Sequence, residues 1–230
     1  MGQVFDATVL AMAALAEPGE AGNHILRIQH YVRALARKLM ASPVYAGQLS
    51  EQAITTLFLA APWHDIGNAG VPDRILLKPG ALTEEELEIV RTHPTIGRAT
   101  IDQIKLTAGV AMDFLDVAGD IAYCHQERWN GSGYPQGLVG DRIPVAARIM
   151  AIADAYDALT NRRVYREGVP HDIAVQRIFH ERATHFDPDM VDAFIEIQDE
   201  FLAIARRHAD TDLDFQNKID YMVKAIAESP

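Results

Sequence analysis

The apolar residues of this chain recur every three or four positions and nowhere alternate over the length of a strand. Ile25, Ile28, Val32, Leu35 and Leu39 mark one face of an amphipathic helix. Residues 50–65, SEQAITTLFLAAPWHD, and 143–160, IPVAARIMAIADAYDALT, are apolar on most sides, as core helices are. A chain so patterned closes a core by packing helix on helix, and the fold class predicted is all-α. Residues 3–17 read as a further amphipathic helix, cut off by PGEAGN, and Pro62 is expected to bend or end the helix that carries it. Thr83-x-x-Glu86 is a capping box, His93-Pro94 opens a helix, and residues 112–125 form the next. Asp187-Pro188 caps another helix, and 212–227 reads as a last one. The expected organisation is a connecting helix over 1–19, a main domain over 20–210 and a helical extension over 211–230.

With 230 residues, 49% of them hydrophobic, one sizeable core can be buried. The formal charge of −11 argues against a general nucleic-acid binder and against adhesion to an anionic membrane surface. The single cysteine, Cys124, excludes an internal disulfide framework and suits a reducing compartment. Asp6 breaks the first apolar run, and no segment reaches the ~18 apolar residues of a membrane span. The expected location is the cytoplasm. The apolar stripe of residues 1–17 suggests a homodimer.

Charged residues in apolar company carry the chemistry. His64-Asp65 ends an apolar helix, where an imidazole and a carboxylate are costly unless paired or bound to metal. A second His-Asp, at His171-Asp172, follows Pro170 and reads as the polar start of a helix. Asp154 interrupts the apolar run RIMAIADAYDAL; Asp157 lies one turn on, and one of the two can be a satisfied surface acid. His93 and His125 stand at helix ends beside loops, placed to point into one pocket. Glu20 and His24 share a face if the helix begins early enough. His and carboxylate donors without thiolate suit Fe, Mn, Co or Zn, and more than four candidates suggest two ions. Arg162, Arg163 and Arg166 in NRRVYR read either as a phosphate clamp or as a solvated helix end, and the sequence leaves both open.

Several stretches resemble one family: HDIGNAGVPDRILLKPGALTEEE, HPTIGRATI, HQERWNGSGYPQGLVGDRIPVAARIMAIADAYDALTNRRVYR and FDP. Together they are similar to the HD-GYP domain, a branch of the HD phosphohydrolase superfamily, over roughly residues 20–191. Gly133-Tyr134-Pro135 supplies the name-giving triplet. The resemblance implies an HD-domain helical bundle with a C-terminal helical extension. It also implies hydrolysis of cyclic di-GMP to pGpG or GMP, by attack of a metal-held hydroxide on phosphorus. On the same ground His24, His64, Asp65 and Asp154 would hold one divalent ion, with Asp65 bridging to a second held by His93 and His125. Fe or Mn is expected, with Zn, Co or Ni as alternatives. Arg163 and Arg166 fall on substrate-phosphate positions, and Tyr134 lies in the loop expected to line the substrate pocket. That loop is also expected to contact a protein partner, a diguanylate cyclase or another regulator. DATVLAMAALAE resembles the segment that joins receiver domains to such domains in response regulators.

Three positions depart from the family pattern. Gln126 stands where a second His is usual, which leaves Glu20 without its partner for a third ion; two metals are expected. Asn68 replaces the usual Lys near the scissile phosphate and brings a hydrogen bond without charge. Asn130 replaces a common Asp. Gln126 and Asn68 motivate the rival reading, a weakly active or inactive module that binds cyclic dinucleotides. A different substrate, 3′,3′-cGAMP among them, is also left open.

Overall fold

The structure is a computed structural model and describes residues 16, 22–108, 113–162 and 167–228. The helix predicted over 3–17 therefore lies outside the described residues except for Ala16, which is buried in the core. The described residues form helices α1 (Gly22–Met40), α2 (Glu51–Ala60), α3 (Glu84–Val90), α4 (His93–Ala108) and α5 (Asp113–Cys124). These are followed by α6 (Val145–Thr160), α7 (His171–His180), α8 (Pro188–Glu196), α9 (Gln198–Arg207) and α10 (Asp212–Glu228). Among the described residues there is no strand, only isolated bridges at Asn130–Val139 and Arg182–Phe186, and the fold is all-α as expected.

α1 lies at the centre, against α2, α6 and α9, while α5 packs between α2 and α4. The apolar stripe of α1 is buried: Ile28, Leu35 and Leu39 join Ile54 and Leu57 of α2, Ile121 of α5 and Ile149 of α6. An aromatic cluster closes the far side. Tyr31 stacks on Phe201 at 4.7 Å, and Tyr156 meets Phe201 edge-on at 5.3 Å.

Local sequence explains the helix ends. Ser50 caps α2 by accepting from Ala53 N, and the Thr83–Glu86 capping box forms in both directions. Pro62 ends α2 and tightens the chain into a 3-10 turn, Ala61–Trp63. Proline cannot donate to the carbonyl four residues back, that of Phe58. The buried Gln29 of α1 donates to it instead, at 2.9 Å. Asp187 caps α8 and also accepts from Tyr45 Oη at 2.9 Å and Arg148 Nη1 at 2.6 Å, so one buried carboxylate ties three segments together. The break between α8 and α9 at Ile197 has no Pro or Gly to mark it in the sequence.

Candidate metal centre

Five parts of the chain deliver six candidate ligands to one place. His64 and Asp65 follow the 3-10 turn that Pro62 imposes, at the start of a second turn, Ile66–Gly70. That second turn lies directly against the start of α4. A Cβ on Gly67 would stand 1.9 Å from the carbonyl oxygen of His93 and 2.6 Å from Gly97 N, so only a glycine allows the approach. His93 is the first residue of α4, His125 follows the last of α5, His24 lies in the first turn of α1, and Asp154 lies mid-α6. They form two triads, His24–His64–Asp154 and Asp65–His93–His125, in each of which one donor atom per residue lies within 4.8 Å of the others.

Asp65 joins the triads. Its Oδ1 is 3.2 Å from His125 Nε2 and 3.4 Å from His93 Nε2, while Oδ2 is 3.8 Å from His64 Nε2. Oδ1 is buried yet accepts no aligned hydrogen bond from any described residue. The atoms converge on a shared point rather than on one another, as donors around a cation do. Burial raises the Asp65 carboxyl, but the imidazoles of His64, His125 and His93 outweigh it and hold it well below the usual carboxylate range. Burial lowers His93; it also opposes the charge on His125, whose contact with Asp65 nonetheless raises it.

Each imidazole is oriented from behind. Nδ1 of His64 meets Ala61 O at 3.1 Å, that of His93 meets Val90 O at 2.7 Å, and that of His125 meets Ile121 O at 3.0 Å. These contacts place the proton on Nδ1 and turn Nε2 to the centre, the arrangement that fixes a metal-binding tautomer. For His24 the partner is a side chain: Nδ1 lies 2.7 Å from Asp157 Oδ2. Asp157 is buried, so neither acid of α6 is the surface residue that the sequence allowed for. It also accepts from Arg27 Nε at 2.6 Å and Nη2 at 3.1 Å. Burial would raise its carboxyl, but His24 and Arg27 bring it down to about 2. Arg27, fully buried, reaches on to His208 O at 2.9 Å and Asp210 Oδ1 at 3.1 Å, and Asp210 pairs with Lys218 of α10 at 2.9 Å. The donor set and its supports fit divalent cations.

The profile of the HD domain matches residues 11–190. The chain belongs to the HD domain family. A Vibrio cholerae protein named "Probable cyclic di-GMP phosphodiesterase" is 48% identical over 207 residues, 89% of this chain and 47% of the relative. A second protein of that organism, named "Cyclic di-GMP phosphodiesterase", is 44% identical over 89% of this chain and 42% of its own length. The chain thus spans about half the length of these curated relatives. Among solved structures, a HDG"Y"P protein from Bdellovibrio bacteriovorus superposes with a TM-score of 0.56 at 17% identity, over 85% of this chain and 71% of that one, a likeness of fold. The HD-GYP resemblance read from the sequence is borne out.

In this HD domain the glycine-rich stretch after His125 folds back on itself. The buried carboxylate of Glu127 accepts from Gln136 N at 2.7 Å and Leu138 N at 3.0 Å, clamping the loop shut. A Cβ on Gly133 would stand 2.3 Å from Arg128 N, so the loop crosses its own stem there. The clamp presents Tyr134 to the centre, its ring 6.3 Å from and perpendicular to that of His93. Burial and then Asp65 push the Tyr134 hydroxyl up to about 12, so it stays a neutral donor. Asn68 is buried in the Ile66–Gly70 turn, three residues from Asp65. Glu20, Arg163 and Arg166 lie outside the described residues. From the sequence Glu127 had no role, and Asp157 was only one of two acids either of which could be a surface residue. The signal available for Asp157 was a second charge in the same apolar helix.

Proposed function

We propose that this HD domain is a metal-dependent phosphodiesterase that opens cyclic di-GMP to pGpG, or onward to GMP. The observation that carries the reading is the bridging position of Asp65, with its buried, unmatched Oδ1 between two ligand triads. The names of the relatives at 44–48% identity support the substrate. His24, His64 and Asp154 would hold one ion and His93 and His125 the other, with one Asp65 oxygen turned to each. Nitrogen and oxygen donors without thiolate favour Fe or Mn, with Zn, Co or Ni as alternatives. A bound pair supplies activated water and neutralises charge on the phosphoryl oxygens. Water oxygen bonds to phosphorus, the P–O3′ bond breaks and the 3′ oxygen takes a proton. Tyr134, neutral and beside His93, would donate to a phosphate oxygen. Arg163 and Arg166 are proposed to hold the phosphates, with Asn68 a weaker substitute for a cation. The test is turnover of cyclic di-GMP by protein reconstituted anaerobically with Fe(II) or Mn(II), beside Asp65→Asn. Product from the wild type alone is expected. Tight binding without product from either would replace the enzyme by a receptor, the reading that Gln126 and Asn68 favour.

A further inference from the structure

A groove of about 550 Å³ lies along the start of α4, beside the loop that Glu127 clamps. Glu88, Arg91, Thr92, Thr95 and Ile96 form one wall and Ser132–Pro135 the other. Thr92 precedes His93 in the chain, and Tyr134, which faces His93, also faces the groove. Tyr134 is thus shared between the groove and the candidate centre. Its volume suits one nucleotide-sized ligand part.

We propose that this groove is a guanine subsite, read by the pair Glu88–Arg91. The proposal rests on the phosphodiesterase reading and deepens it. Arg91 Nη1 lies 2.6 Å from Glu88 Oε1, and its guanidinium sits over the Tyr134 ring, 5.9 Å from the centroid. Both head groups are open to solvent, with side chains 47% and 69% exposed, so neither is spent on the core. A guanidinium has five donors, so Arg91 can keep Glu88 and still donate to a base. Together they present a donor beside a carboxylate acceptor. Guanine presents the complement along one edge: O6 accepts, then N1–H and N2–H donate, and a single carboxylate takes both. Adenine presents N6–H where guanine has O6 and a bare nitrogen at N1, so in the same pose a donor faces Arg91 and an acceptor faces Glu88. Unmatched pairs of that kind discriminate more strongly than shape does. Tyr134 and Pro135 line the groove opposite α4, with the Arg91 guanidinium over the Tyr134 ring.

The test has a binding arm and a turnover arm. GMP and AMP are titrated by calorimetry into metal-free wild type, Glu88→Ala and the control Glu85→Ala, which lies on α3 outside the groove. Wild type and control are expected to bind GMP at least ~10-fold more tightly than AMP, and Glu88→Ala to erase the difference. With Mn(II) loaded, Glu88→Ala is expected to lower kcat/KM for cyclic di-GMP about 10-fold, mainly through KM, with cyclic di-AMP unchanged. Equal binding of GMP and AMP by the wild type, or a preference that survives Glu88→Ala, overturns the subsite. If wild type hydrolyses cyclic di-GMP and the variant keeps the same ratio, the subsite falls and the enzyme stands. If nothing is hydrolysed but the GMP preference depends on Glu88, the enzyme falls and the subsite stands.

Discussion

The chain spells His-Asp twice, and the two copies have opposite fates. At His64-Asp65 the imidazole Nδ1 is committed to Ala61 O and the carboxylate turns inward, with an oxygen that no described donor satisfies. At His171-Asp172 the imidazole Nδ1 pairs with Tyr156 Oη at 2.8 Å, and the carboxylate is exposed in the first turn of α7. The residues are the same; what differs is where the backbone leaves them. A 3-10 turn after Pro62 points the first pair into the junction of five parts of the chain, whereas a regular helix start points the second acid into water. Residue type alone does not make a metal centre. Here the supporting hydrogen bonds come from behind and turn the imidazoles to one point.

The largest break in this contrast is Asp65→Asn. Supporting residues of metal sites already cost 10–100-fold in affinity, so loss of the proposed shared ligand is expected to cost more than ~100-fold in Mn(II) binding and to remove hydrolysis. Equilibrium dialysis and product analysis check both. Next comes Asp157→Asn, which takes from the buried Arg27 the carboxylate that grips it twice and leaves Asp210 as its remaining counter-charge. A loss of about 3–5 kcal/mol in urea unfolding is expected, together with ~10–100-fold weaker metal binding through a loosened His24. The same acid sets a pH signature. Its folded value of about 2 lies below the roughly 3.9 of an unfolded Asp, so its contribution is present above that upper value and is lost as pH falls through about 2. Acid unfolding of the wild type should lose on the order of 2–3 kcal/mol across that window, and Asp157→Asn should flatten it. Glu127→Ala removes one acceptor from two backbone amides. It is expected to cost about 1–3 kcal/mol and to raise KM while leaving metal affinity unchanged, a split that kinetics and dialysis resolve. The smallest effect belongs to the second copy. Asp172→Asn should shift stability by less than ~0.5 kcal/mol and leave turnover and metal content alone. A loss of metal with that substitution would overturn the contrast.

Periodicity and capping carried the fold: the stripe Ile25–Leu39, the Thr83–Glu86 box and the Asp187-Pro188 start are local signals and formed as local physics dictates. His64-Asp65 and Asp154 stood out as charges in apolar helices, His93 and His125 as helix-end residues beside loops, and the full candidate set came with the family resemblance. What escaped depends on partners far apart in the chain. Asp157 meets Arg27 and His24 across 130 and 133 residues, and no window around α6 contains that pairing. Glu127 grips amides 9 and 11 residues on, which only the closed loop brings within reach. The Ile197 break follows from packing, since neither glycine nor proline imposes it.

The buried line of charge from His24 through Asp157, Arg27 and Asp210 to Lys218 bears on where the working unit stops. The family match closes at residue 190, but Arg27 draws two of its partners from His208 and Asp210. A fragment trimmed to the matched stretch would keep every candidate ligand described here. It would also strip Arg27 of its His208 and Asp210 contacts, half of its anchorage, next to the acid that holds the candidate ligand His24. Shortening this protein from its tail should therefore be felt first at the metal.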